Sequence, residues 1–366
     1  MFYHLFLTTD CNLACRYCCG EAVVEDSPFP FRVDLCLPEK FSKLESLRKF
    51  LRADSDPTLI FYGGEPLLAL DELYWLMDHI EARFILQTNG TLLHLVDRNH
   101  LSRFHTILIS LDGREEITDY FRGKGTFRRV MSNLRNLEGF RGEVIARMTV
   151  MEPLDIFEEV KWLASNEEFS FRSIHWQLNV GFWDDLRRRT QFRTWLEESY
   201  LPGLQKLAEW WVERMEKSGE VLKLHPFLGM AKSLLEGERC WMRCGAGHSN
   251  YAIQTDGRII PCPAMWGMKD YYLGSVETSH PGELPRVFPS GYCSTCELLS
   301  ICGGRCLYAT VTRKWGSSYS LVCQTVRGLF EAILRRLPRI RRLLDEGVLK
   351  GEDFEYLQYN GCEVIP

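Results

Sequence analysis

The sequence predicts an α/β fold: a partial (β/α)6 barrel, then a loop-rich module dense in cysteine, then a short helical tail. Three observations carry this. Over the first 180 residues, β-rich runs alternate with amphipathic stretches. That is the pattern of a parallel sheet, either open and doubly wound or curled into a full or partial barrel. From about residue 236, glycine, cysteine and proline rise and periodicity fades, as in a module that needs staples. After Cys323, helix-like patterning returns. The divisions fall at 1–225, 236–325 and 326–366.

The elements follow in order. Strand-like runs occupy 2–7, 58–63, 84–90, 106–112, 143–151 and 173–180, and six strands suit a partial barrel. Helical stretches at 39–53 and 70–83 stand between the early ones. In such sheets the chemistry gathers at the C-terminal strand ends. Gly63-Gly64-Glu65-Pro66 follows the second strand, Thr88-Asn89-Gly90 ends the third, and Ser110-Leu111-Asp112-Gly113 ends the fourth. Residues 183–219 read as a charged helical region whose aromatic stripe, with Trp195, Trp210 and Trp211, packs on the core.

Composition narrows the function. The 366 residues are 45% hydrophobic and 25% charged, with a formal net charge of −5. Only 335–342, RRLPRIRR, forms a basic block, so nucleic acid is not the expected partner. That block is a candidate docking face, with a solvated helix face as the simpler reading. No apolar run approaches the roughly 18 residues of a membrane span. Nor does the N-terminus carry a secretion signal, so the cytoplasm is expected.

Fourteen cysteines in such a chain point to metal rather than disulfides. Eleven fall into three clusters, at 11–15–18, 240–244–262 and 293–296–302–306–323. In Cys11-x3-Cys15-x2-Cys18, three thiolates on one loop leave one iron of a 4Fe–4S cluster open to a ligand. Zinc is the rival, since Cys-x2-Cys is also a zinc spacing. Cys19 is a conceivable fourth zinc ligand, although adjacent cysteines point in different directions.

The stretch CNLACRYC, with Tyr17 just before the third cysteine, resembles the cluster motif of the radical SAM superfamily. The resemblance implies that Cys11, Cys15 and Cys18 hold a 4Fe–4S cluster and that Cys19 does not. S-adenosylmethionine would chelate the open iron through its amino and carboxylate groups. YGGEP is similar to the family segment that binds the methionyl amino group, which implicates Gly63, Gly64, Glu65 and Pro66. QTNGTLL and ISLDG resemble cofactor-bordering strands, which adds Thr88, Asn89, Ser110 and Asp112. The stretch at 117–130 resembles the segment following SLDG in one branch. It makes Arg122 a candidate for the cofactor carboxylate, with a surface arginine as the plain alternative.

Downstream, Cys244-x12-Gly257-x4-Cys262, then Cys293-x2-Cys296-x5-Cys302-x3-Cys306, then Cys323, resembles the SPASM extension of these enzymes. With Cys240 there are eight thiols, enough for two auxiliary 4Fe–4S clusters. The resemblance implies one on Cys240, Cys244, Cys262 and Cys306 and another on Cys293, Cys296, Cys302 and Cys323. A zinc ribbon over 293–306 is the alternative. Of the remaining thiols, Cys36 reads as structural and Cys362 as exposed near the terminus.

The implied function is a peptide-modifying radical SAM enzyme that abstracts hydrogen from a ribosomal peptide. The result would be a thioether, a crosslink, an epimer or an oxidised residue. The chain looks most like an archaeal peptide-modifying radical SAM/SPASM group, for which cysteine-rich substrates are expected. The family implies ferredoxin or flavodoxin as electron donor. The sulfatase-maturing branch carries an aspartate after the cysteine matching Cys262. Pro263 stands there, so formylglycine formation is not expected. No leader-binding domain precedes the first strand, so leader recognition would need a separate protein or another surface. Two alternatives remain. One is a dehydrogenase or decarboxylase acting on a small molecule. The other is a non-catalytic electron carrier or zinc-stapled interaction module.

Overall fold

A computed structural model describes residues 1–18, 31–34, 36–179, 191–288, 291–312 and 319–362. The N-terminal elements are β1 (Phe2–Thr8), α1 (Leu44–Arg52), β2 (Thr58–Gly63), α2 (Leu70–His79), β3 (Arg83–Thr88), α3 (Arg98–Leu101), β4 (Phe104–Ser110), α4 (Glu115–Arg122) and α5 (Thr126–Leu134). There follow β5 (Glu143–Val150), α6 (Ile156–Ser165), β6 (Ser173–Leu178), α7 (Phe192–Trp195), α8 (Leu201–Ser218), β7 (Lys223–Leu224) and α9 (His225–Glu236). Last come β8 (Asn250–Ile253), β9 (Arg258–Ile260), β10 (Gly274–Ser275), α10 (Leu299–Cys302), α11 (Leu307–Thr312), α12 (Tyr319–Leu334) and α13 (Leu337–Asp345).

The chain compacts into two units that do not follow chain order. The first comprises Met1–Leu111, Glu115–Ile145 and Gly245–Phe288. Its strands lie in the order β10-β9-β8-β1-β2-β3-β4. From β1 to β4 all pairings are parallel. β1 is buried along almost its whole length, as expected of a strand covered on both faces. α1 buries Leu47, Phe50 and Leu51, and α2 buries Leu73, Leu76 and Met77, the spacing of one helical face. β8, from the stretch read as loop-rich, pairs parallel with β1 from Phe2↔Asn250 to Leu5↔Ile253. It is secured by a hydrogen bond of 2.9 Å between His4 Nδ1 and Asn250 Oδ1. The cysteine module expected at 236–325 is therefore divided: 245–288 continues the first sheet, and the rest joins the second unit.

The second unit comprises Asp112–Arg114, Ala146–Cys244 and Pro289–Pro366. It carries β6 and β7, paired in parallel, beside the Ala146–Val150 part of β5. Of the predicted aromatic stripe, Trp195 and Trp211 are core and Trp210 is half-buried. Trp211 is fully buried and donates to the Leu222 carbonyl at 2.8 Å, and Trp195 donates to the Leu154 carbonyl at 2.9 Å. Residues 183–190 of that stretch lie outside the described residues. The C-terminal helices are not a separate tail, since α12 packs on α8 and α9. The basic block is likewise engaged within the unit. Arg336 pairs with Glu209, Arg339 with Glu209 and Glu216, and Arg342 with Glu216. Two glutamates of α8 thus pair with three of the five arginines of the candidate docking surface. Cys362 is fully buried, contrary to its expected exposure, because the chain folds back and Arg147 Nη1 donates to the Gly361 carbonyl at 2.6 Å.

Gly203 allows α8 to approach α6: a Cβ there would stand 2.8 Å from the Ile156 Cγ2 methyl. Gly203→Val is expected to destabilise the protein by about 1–3 kcal/mol through overpacking. That outweighs the roughly 0.5 kcal/mol it gains in helix propensity. Urea denaturation against wild type measures the difference.

Candidate functional site: a thiol loop at the strand ends

β1 delivers the chain into the loop that carries Cys11, Cys15 and Cys18. The end of β2 lies along this loop. Gly64 N donates to the Thr8 carbonyl at 2.9 Å and Glu65 N to the Asp10 carbonyl at 2.8 Å. The contact requires glycine. A Cβ on Gly63 would sit 2.2 Å from the Thr8 oxygen, and one on Gly64 would sit 2.1 Å from the Asp10 oxygen. Both glycines were singled out for closeness to a ligand, and here that closeness is to the thiol loop's own backbone. Pro66 starts the single turn Pro66–Leu68 that follows, capped by Glu65.

Glu65 is fully buried. Its carboxylate accepts from Leu67 N at 3.1 Å, Thr88 Oγ1 at 2.7 Å and Asn89 N at 2.7 Å, binding the ends of β2 and β3 together. Burial pushes its pKa up to about 7, against the pull of these donors. A carboxyl whose folded pKa exceeds its unfolded value favours folding at low pH and loses that advantage as pH rises through the folded pKa. The unfolding free energy of wild type minus that of Glu65→Gln is therefore expected to fall by about 3 kcal/mol between pH 4.5 and 7, then level off. A flat difference in urea titrations across that range would refute this.

Asn89 joins this knot to the thiols. Its Nδ2 donates to Asn12 Oδ1 at 2.8 Å and lies 3.9 Å from Cys11 Sγ, while its Oδ1 accepts from Thr91 N and Thr91 Oγ1. Asn12 donates to Thr91 Oγ1 at 2.9 Å, and Asn133 of α5 donates to the Gly90 and Thr91 carbonyls, both at 2.9 Å. The sequence reading missed Asn12, Thr91 and Asn133. The first two lie within its motifs, CNLACRYC and QTNGTLL, and Asn133 has no local signal.

From the other side, α4 holds the loop. Arg16 N donates to the Phe121 carbonyl at 2.8 Å. The Tyr17 ring lies 5.4 Å from that of Phe121, and the Arg122 guanidinium stands over Tyr17 at 5.3 Å. Arg122 is only 6% exposed, which corrects the plain alternative of a surface arginine. At the end of β4, Ser110 is half-buried. Asp112 is fully buried and accepts from Thr149 N at 2.9 Å. Gly113 is followed by Arg114, whose guanidinium pairs with the buried Glu159 at 2.6 Å.

Cys11 and Cys18 are exposed and Cys15 is half-exposed. Surrounding protein raises the Cys11 thiol pKa, while the Leu13 N–H and the Asn89 amide draw it down. Among the described residues no three His, Cys, Asp or Glu side chains stand in a metal-holding arrangement. In donor chemistry the loop fits an iron–sulfur cluster: three soft thiolate ligands, with N–H groups aimed at sulfur. Cys19 lies outside the described residues.

The downstream cysteines divide between the units. Cys262 precedes the turn Pro263–Met265 in the first, while Cys240, Cys244, Cys293, Cys296, Cys302, Cys306 and Cys323 belong to the second. There, Cys240 N donates to the Ser300 carbonyl and Met242 N to the Gly303 carbonyl, both at 2.8 Å. Two cysteine loops are thereby laid side by side. Burial pushes the Cys302 thiol up to about 11. Cys36 is exposed, so the structural role expected of it is not a buried one.

A parallel α/β sheet with three thiols on the loop after its first strand puts soft ligands suited to an iron–sulfur cluster at the strand ends. Residues 5–163 match the family model of the Radical SAM superfamily. An uncharacterised protein of Archaeoglobus fulgidus is 26% identical over 316 residues, spanning 82% of this chain and 72% of the relative. An AdoMet-dependent heme synthase of Oleidesulfovibrio alaskensis is 29% identical over 168 residues, spanning 44% of this chain and 41% of its own length. Among solved structures, native anSMEcpe with bound AdoMet superposes with a TM-score of 0.70 at 20% identity, over 94% of this chain and 100% of that one. The same protein with bound AdoMet and Cp18Cys peptide gives 0.68, over 94% and 99%. Residues 5–163 are thus a radical SAM domain, which makes the chain an iron–sulfur enzyme, and the chain has the fold of anSMEcpe. That removes the non-catalytic carrier and the zinc-stapled module. No helix among the described residues is long and apolar enough to cross a membrane.

Proposed function

We propose that this enzyme modifies a ribosomally made peptide. Cys11, Cys15 and Cys18 would hold the cluster that binds S-adenosylmethionine, and the eight downstream cysteines would hold two auxiliary clusters. The carrying observation is the thiol loop, clamped between the Gly63–Glu65 segment, Asn89 and α4. The bound cofactors would supply one-electron cleavage of S-adenosylmethionine to methionine and a 5′-deoxyadenosyl radical, the electron coming from a ferredoxin or flavodoxin. The protein's part is to fix the loop, direct N–H groups at sulfur and place Arg122 beside Tyr17. A peptide substrate is supported by the likeness to anSMEcpe, whose solved complex includes a peptide. Cysteine-rich peptides remain the preferred class. Pro263 speaks against formylglycine formation.

A small-molecule substrate is the second reading, favoured by the similarity to a heme synthase over less than half the chain. The test is anaerobic reconstitution, followed by incubation with S-adenosylmethionine, reductant and short peptides encoded beside the gene. About 12 iron and 12 sulfide per chain, 5′-deoxyadenosine and a peptide mass change support the proposal. About 4 iron overturns the auxiliary clusters. 5′-Deoxyadenosine formation that responds to a porphyrin precursor but to no peptide favours the second reading.

A further inference from the structure

Within the first unit, the sheet side opposite the helices opens beside the thiol loop. Tyr3 of β1 packs edge-on against Phe50 of α1, with ring centres 5.5 Å apart, so the odd positions of β1 face the helix layer. His4 and Phe6 point to the other side, because strand side chains alternate. The parallel register carries that side across the sheet. Phe6 pairs with Tyr62 of β2, and Ile60 pairs with Ile85 of β3, which sets Gln87, two residues on, beside Tyr62. Lower on this side, His4, Ile60 and Ile85 are buried. At the strand ends, Tyr62 and Gln87 are only half-buried. That open level adjoins the thiols: Tyr62 precedes Gly63, and Phe6 lies two residues before Thr8, whose carbonyl takes the Gly64 N–H. The lining is aromatic. Phe6, at 8% exposure, is the floor. The Tyr62 ring stands against it at 5.0 Å and 86°, and the half-buried Trp266 ring lies at 4.5 Å and 48°. Trp266 is held by its turn, in which Met265 N donates to the Cys262 carbonyl at 2.9 Å and Gly267 N to the buried Gln254 Oε1 at 2.6 Å. Gln87 adds one polar point. Its Oε1 is buried and accepts no hydrogen bond among the described residues, and a buried acceptor is costly to leave unmade.

We propose that Phe6, Tyr62 and Trp266 form a subsite for a large apolar side chain of the substrate, aromatic by preference, and that Gln87 accepts a backbone N–H of the same peptide. The inference rests on the peptide reading above and narrows it: the residue presented beside the thiol loop, or its neighbour in the peptide, is bulky and apolar. An apolar lining with one placed polar group is the general form of such a subsite. Rings set edge-on and tilted to one another also suit an incoming ring, which prefers edge-to-face and offset contacts.

The test reads binding without turnover, on the full-length enzyme reconstituted anaerobically. The probes are two blocked tripeptides, acetyl-Gly-Trp-Gly-amide and acetyl-Gly-Ser-Gly-amide, titrated by saturation-transfer NMR. Wild type is expected to bind the tryptophan peptide about tenfold more tightly. Trp266→Ala removes a half-buried ring from a turn, so it should abolish most of that preference at an unchanged melting temperature, while Trp266→Phe keeps the ring and the preference. Gln87→Leu should weaken both tripeptides by about fivefold and leave the preference between them intact. Equal binding of the two tripeptides, no measurable binding of either, or a preference that survives Trp266→Ala overturns the subsite. Unchanged binding in Gln87→Leu overturns the role of Gln87. Free indole bound as tightly as the tryptophan peptide assigns the recess to a small aromatic molecule and overturns the peptide part. A Trp266→Ala form that keeps tripeptide binding but has a raised KM for S-adenosylmethionine in 5′-deoxyadenosine formation assigns the wall to the cofactor, which also overturns it. Peptide modification itself is decided by the mass change described above, so a recess indifferent to side chain in an enzyme that does modify a peptide sinks this proposal alone.

Discussion

Cys15→Ala is expected to cut 5′-deoxyadenosine formation by at least about 10³-fold, since direct ligands matter more than outer-shell partners, whose loss costs 10–100-fold. The iron content should fall from about twelve to about eight per chain. The fold should survive. The bonds that position the loop run through its backbone: Cys18 N to the Cys15 carbonyl, Arg16 N to the Phe121 carbonyl, and Gly64 and Glu65 N to the Thr8 and Asp10 carbonyls. Alanine keeps every one of these. A variant that has lost four iron, retains its melting temperature and makes no 5′-deoxyadenosine matches the expectation. One that keeps all its iron and activity refutes the ligand set.

The first half of the fold was legible because a parallel sheet writes its strands as apolar runs, and β2 lies where its pattern placed it, at Thr58–Gly63. The later strands were not. β8 is only four residues, NYAI, and its partner is β1, some 250 positions earlier. A strand so short carries no period, and its pairing is a tertiary fact. The same holds at the site. Spacing marks Cys11, Cys15, Cys18, Gly64 and Asn89, because a loop that presents three thiols constrains its neighbours in sequence. It gives no sign that Glu65 would turn inward onto Thr88 and Asn89, since a carboxylate reads alike whether it faces a ligand or its own backbone. Burial decided Arg122 and Cys362, and burial depends on elements brought in from elsewhere in the chain.

Gly64→Ala should be the most damaging single-atom addition at the site. A methyl group there would meet three backbone atoms, the Asp10 oxygen at 2.1 Å, the Thr9 oxygen at 2.4 Å and the Asp10 carbonyl carbon at 2.5 Å. None is the end of a flexible side chain, so no rotamer change relieves the clash. The two segments must part, and the bonds from Gly64 N and Glu65 N part with them. Their loss costs about 1–3 kcal/mol each where the groups stay buried, which brings the total to roughly 4 kcal/mol or more with the steric term. Gly351→Ala is the control, as nothing lies within 4 Å of the added carbon. Chemical denaturation should separate the two variants by that margin, and iron retention by the thiol loop should fall in Gly64→Ala alone. Equal stability and equal iron in both would mean that the β2 end does not brace the thiols. In that case Asn89 and α4 alone would be left to hold the loop in place.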